Sequence, residues 1–126
     1  MGGRAGEGWG VEPMSDYRPC CALIAPFRDR TQEDYLRLEA AKRHVLGLGL
    51  VPLFLPDTLR WALNDHVAGQ REEALACSEG FLATIARDPS SSFLVVPRVD
   101  GSHSEGMVRD LLCVERFKRS WSTWTP

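Results

Sequence analysis

Apolar positions along the chain fall into two alternating kinds of segment. Cys20 to Ala25 (CCALIA) is a short uninterrupted apolar run, the pattern of a strand buried on both faces. Thr31 opens a helix with Asp34 three residues on, an acidic variant of the capping box; Tyr35, Leu38, Ala41, Val45 and Leu48 follow at helical spacing. Gly47 and Gly49 end that run, and Val51 to Leu55 reads as a second strand with Pro52 near its start, where a missing donor is tolerated. From Gln70 a second helical face carries Leu75, Ser78, Leu82 and Ile85. Phe93 to Val96 (FLVV) is a third buried strand, and a last helix places Met107, Leu111 and Val114 on one face with Val108 and Leu112 beside them. Trp121 to Thr125 alternates large and small residues and predicts an edge strand, while 56–69 shows only a short helical stretch around Leu59 to Val67.

Buried strands alternating with amphipathic helices predict a single α/β domain: an open parallel sheet of about four strands, Rossmann-like or flavodoxin-like, with helices on both faces. The domain is expected over 17–126, after a Gly-rich flexible tail at 1–16. Ligands of such sheets bind beyond the carboxyl ends of the strands. Two polar loops leave strands there, Pro26 to Arg30 and Arg98 to Ser104, and they converge if the first and third strands are neighbours.

Composition changes little in this picture. With 126 residues, 44% hydrophobic and 25% charged, the chain has the balance of a soluble globular domain. A net charge of −2 without a dense Lys/Arg block argues against a nucleic-acid polymer as partner. The cluster Arg116, Lys118, Arg119 reads as a solvated helix terminus. No apolar run is long enough to span a bilayer and no secretory signal opens the chain, so a cytoplasmic location without membrane contact is expected. Cys20, Cys21, Cys77 and Cys113 lack metal-ligand spacing and read as buried thiols; neither a metal nor a cofactor is expected.

The chemistry concentrates at the start of the last helix. Ser104 stands at the N-cap with Gly106 in the first turn, where free backbone N–H groups and the helix dipole suit a phosphate or carboxylate. Ser104 either caps its own helix or donates to an anion, and Gly106 suggests close approach of something to the backbone. Asp110, six residues after Ser104, faces back to the strand edge if it shares a face with Met107, and offers a nucleophile or base. Arg28 pairs with an anion or with nearby Asp29 or Glu33, and Asp100 and His103 offer proton transfer from the loop.

These segments, taken together, resemble a family. Ala25-Pro26-Phe27-Arg28 after the first strand, Gly49-Leu50-Val51-Pro52, Arg71 opening a helix and Ser104-Glu105-Gly106-Met107-Val108-Arg109-Asp110 look like the nucleoside 2-deoxyribosyltransferase-like proteins, notably their small bacterial and phage domains. Those read S/G-P-Y-R, G-x-x-P and S-x-G-M-x-x-E at the corresponding places, and the resemblance covers Cys20 to Phe117. It implies N-glycosidic chemistry, a transferase or hydrolase acting on a nucleoside or its monophosphate. A helix carboxylate attacks the anomeric carbon, and another base or water replaces the departing one. Carried over, Asp110 is the nucleophile. Arg28, Ser104 and Gly106 hold the phosphate or a sugar hydroxyl, Phe27 lies against the sugar or base, and Pro26 and Met107 complete the two binding segments.

The chain departs from the family twice: Asp110 stands in place of Glu, and Asp100 is the only replacement for an Asp that handles the leaving base. These departures keep open a catalytically impaired nucleotide-binding or sensing domain. A third reading is an interaction domain, since family members commonly form homo-oligomers. Trp9, Trp61, Trp121 and Trp124 then either anchor an interface or, for Trp61 and the C-terminal pair, finish the core.

Overall fold

The computed structural model describes residues 18–27, 29–58 and 71–126. In order they form β1 (Cys20–Ile24), α1 (Gln32–Gly47), β2 (Val51–Leu53), the single turn α2 (Leu55–Thr58), α3 (Arg71–Ala86), β3 (Ser92–Val95), α4 (Glu105–Arg116) and β4 (Ser122–Thr123). The strands make one four-stranded sheet in the order β2-β1-β3-β4, and every pairing is parallel. The tail at 1–16 and the helical stretch around Leu59 to Val67 lie outside the described residues.

The two sides of β1 explain its composition. Ala22 and Ile24 face a core shared with Phe93 and Val95 of β3, Leu82 and Ile85 of α3, and Met107, Leu111 and Val114 of α4. Cys21 and Leu23 face the opposite core, with Leu94, Val96 and the α1 residues Leu38, Ala41 and Val45. The period of two in each strand thus sends alternate residues to two cores, so the buried positions of both strands are apolar, with Ser92 at the half-buried start of β3. Pro52 is accommodated because β2 is an edge strand.

Several expectations need adjustment. The second strand stops at Leu53 rather than Leu55: Pro56 has no N–H for a ladder, but its missing donor is harmless in the first turn of α2. The third strand begins one residue early, and the last is only Ser122–Thr123. Tyr35 and Leu48 are exposed, so the buried stripe of α1 narrows to Leu38, Ala41 and Val45. On α4, Val108 and Leu112 are likewise exposed. Cys20 is only half-buried at the start of β1, while Cys21 and Cys113 are buried; the Cys77 side chain lies outside the described residues.

The C-terminal segment is tied down rather than solvated. Arg119 donates through Nη1 to the carbonyls of Ala86 (2.7 Å) and Asp88 (3.1 Å) and through Nη2 to the carbonyl of Ser91. Its guanidinium also lies 5.4 Å from the Phe93 ring centroid. Trp121 packs against the α3–α4 core and Trp124 against the α1 core. The tryptophan pair therefore finishes both cores, one residue on each side of β4. Replacing Arg119 with Met leaves three carbonyls without their shared donor, and should lower stability by about 1.5–3 kcal/mol, read as a shifted denaturant midpoint at unchanged slope.

Candidate functional site

The order β2-β1-β3-β4 makes the chain leave β1 on one side for β2 and return on the other for β3. This reversal opens a crevice beyond the carboxyl ends of β1 and β3. A cavity of about 340 Å³ lies there, at the lower end of the volumes that hold small ligands. Its apolar wall includes Leu23, Phe27, Phe54 and Phe81; its polar groups include Ser78, Arg98, Ser104, Glu105 and Asp110. Phe27 and Phe54 meet edge to face, with ring centroids 6.4 Å apart. The two polar loops that leave β1 and β3 do converge on this space.

The start of α4 forms one side of the cavity. The Met107 N–H donates to Ser104 Oγ at 3.3 Å, and the Ser104 N–H reaches back to Met107 Sδ at 3.4 Å. A thioether thus takes the reciprocal place of the usual Glu or Gln. Capping uses the Ser104 hydroxyl as an acceptor, which leaves its proton to donate. A Cβ added at Gly106 would meet nothing within 4 Å among the described residues, so none of their contacts demands glycine there.

Asp110 stands three residues, a little under one turn, beyond Met107 on α4 and faces the cavity. Ser78 Oγ of α3 donates to its Oδ1 at 2.9 Å. Burial pushes the Asp110 carboxyl up to about 6, against the pull of the Ser78 hydroxyl and with a contribution from the negative charge of Glu79. A carboxyl so placed is ionised at neutral pH yet poorly solvated, the state that favours attack on an electrophile or uptake of a proton.

A second carboxylate has the opposite treatment. Asp34, 4% exposed, accepts from the backbone N–H groups of Thr31 and Val99, each at 3.0 Å. Burial opposes its charge, but these donors and the nearby Arg98 hold its carboxyl below the usual carboxylate range. It serves the capping box foreseen for α1, since Thr31 Oγ1 in turn accepts from the Asp34 N–H at 3.0 Å. It also fastens the β3–α4 loop to the start of α1.

The sequence-predicted residues separate into groups. Phe27, Ser104, Gly106, Met107 and Asp110 all line the cavity. Pro26 is buried but is not part of the lining, and Arg28 lies outside the described residues. Asp100 and His103 are exposed and outside the lining; Asp100 accepts from the N–H and Oγ of Ser102 at 2.9 and 2.6 Å, closing its own turn. Ser78, Phe54, Phe81 and Arg98 line the cavity and carried no functional reading in the sequence. The signals were slight: a Ser on the apolar face of a helix, and an Arg two residues beyond the FLVV run. Among the described residues, no three His, Cys, Asp or Glu side chains gather as a metal site, and no helix is long and apolar enough to cross a membrane.

Comparison with protein-family models, with curated proteins and with solved structures gives no match in any of the three. The chain is a small α/β domain with an open four-stranded parallel sheet.

The raised Asp110 carboxyl makes a signed prediction. A carboxyl whose folded value lies above its unfolded value of about 3.9 favours the folded state below that value, and the advantage is lost as pH rises through about 6. Asp110→Asn, which removes the charge and keeps an acceptor for Ser78, should therefore be more stable than the parent protein by up to ~3 kcal/mol above pH 6. The gap should open between about pH 4 and pH 6 and stay flat beyond, in denaturant titrations run across that range.

Proposed function

We propose that the cavity binds a nucleoside or nucleoside monophosphate and that Asp110 attacks the anomeric carbon of its N-glycosidic bond. The observation that carries this reading is the poorly solvated Asp110 carboxyl, held by Ser78 in a cavity with aromatic walls beside the start of α4. The resemblance of the Ser104–Asp110 segment to nucleoside 2-deoxyribosyltransferase-like proteins supplies the reaction class. An Asp110 oxygen forms a bond to the anomeric carbon while the carbon–nitrogen bond breaks. The bonding pair leaves with the base, which takes up a proton. Water or a second base then attacks the same carbon and frees the carboxylate. Phe27, Phe54 and Phe81 supply faces and edges for a flat base, and Ser104 and the backbone at Gly106 supply donors to the sugar or its phosphate.

A non-catalytic nucleotide-binding domain is favoured by one observation. Asp is a methylene shorter than the family's Glu, a retraction of about 1.5 Å, and the Ser78 bond draws the carboxylate toward α3. Misplacement on that scale can cost ~10²-fold in rate while leaving binding intact.

Incubation with ribo- and deoxyribonucleosides and their 5′-monophosphates, followed by chromatography for free base, separates the two. The enzyme reading expects base release that increases as pH rises through about 6 and disappears in Asp110→Ala. No release by the parent protein, with calorimetric binding retained, leaves the binding domain; neither release nor binding removes both. Gly106→Ala is a sharper probe of location. The fold has room for the methyl group and should gain up to ~1 kcal/mol, yet ligand binding should weaken because the methyl group stands at the cavity wall.

A further inference from the structure

Arg98 is the only cation among the described residues that line the cavity, against the carboxylates of Asp29, Glu105 and Asp110. Its present contacts are long: Nη1 lies 3.4 Å from Asp34 Oδ2 and 3.4 Å from the Asp29 carbonyl oxygen. A committed Arg–carboxylate pair closes to about 2.7–2.9 Å, commonly with two parallel bonds. The reason for the looseness lies with Asp34. Both its oxygens already accept backbone N–H groups at 3.0 Å, from Thr31 and from Val99. Removing Arg98 would not leave the buried carboxylate without partners. The Arg98 side chain is itself 26% exposed, and its Nε and Nη2 donors have no described acceptor.

We infer that Arg98 is an oxyanion hook, parked on Asp34 and the Asp29 carbonyl and turning into the cavity to grip a phosphate or carboxylate on the ligand. The guanidinium fork matches either group with two parallel bonds. Because Asp34 keeps its two backbone donors, the hook moves without unpairing a buried charge. The hook takes the anionic group, and the uncharged part of the ligand takes the remaining space. The inference rests on the proposed nucleotide reading for the rest of the ligand, but not for the anionic group.

The test compares the whole protein with Arg98→Met by calorimetry, using inorganic phosphate, acetate, 2′-deoxynucleosides and their 5′-monophosphates as titrants. The expected result is a ~10- to 100-fold loss of monophosphate affinity in Arg98→Met with nucleoside affinity unchanged. Phosphate and acetate show which oxyanion the hook prefers. Binding of phosphate or acetate that depends on Arg98, without any nucleoside binding, supports the hook and defeats the nucleotide reading. Equal loss for nucleoside and monophosphate, no loss for either, or no binding of any anion by the parent protein overturns the hook. If Arg98→Met does not fold, the Nε–H resonance of Arg98 in the parent protein gives the answer instead. It should shift on saturation with the tightest-binding anion, and an unmoved resonance overturns the inference.

Discussion

Pairing of β1 with β3 runs in register from Cys21–Ser92 to Ile24–Val95, and it brings together two strands that are each apolar on both faces. Everything else is arranged around that junction. Because β2 sits on the other side of β1, α1 covers one face while α3 and α4 cover the other. Because the strands run parallel, their carboxyl ends lie at one edge, and the loops that leave them open into the same crevice. The cavity is a result of topology before it is a result of any particular side chain.

Two aspartates of identical chemistry, Asp110 in the cavity lining and Asp34 outside it, are driven apart. Asp34 is the more buried, yet two backbone donors and Arg98 keep it ionised, and it acts as a fastener between α1 and the loop that leads to α4. Asp110 has one hydroxyl donor and a neighbouring negative charge, and burial dominates. Divergent environments thus give two identical side chains opposite titration behaviour. The Asp110 arrangement works against stability at neutral pH, as burial of a charged carboxylate does.

Much of this was legible in the apolar pattern. Runs such as CCALIA and FLVV have few alternatives to a two-faced buried strand, and Thr31 and Ser104 both cap the helices that their positions announced. The convergence of the two loops also followed from strand alternation. Less legible were the features that depend on residues distant in sequence. Nothing local distinguishes Arg119 from a solvated helix-terminal cation until the carbonyls of Ala86, Asp88 and Ser91 are brought beside it. Ser78 became a partner of Asp110 only through the packing of α3 on α4. Asp34 was readable as a cap, because that bond is three residues long, but not as the acceptor for Val99. Asp100 is the converse: its place in the loop after the third strand made it a candidate, while its own Ser102 turn holds it at the surface.

The same β1–β3 register has a kinetic side. Its partners are separated by most of the described chain, whereas β1, α1 and β2 follow one another directly. Contacts between distant segments form late, since the entropy of closing a long loop must be met before the pairing returns anything. During folding, β1 therefore presents an apolar, unpaired edge to its surroundings until β3 arrives. Such an edge is a template for association with other chains. The junction that creates the cavity in the finished molecule is thus also the pairing of greatest sequence separation in the sheet, and the one that costs most loop-closure entropy to form.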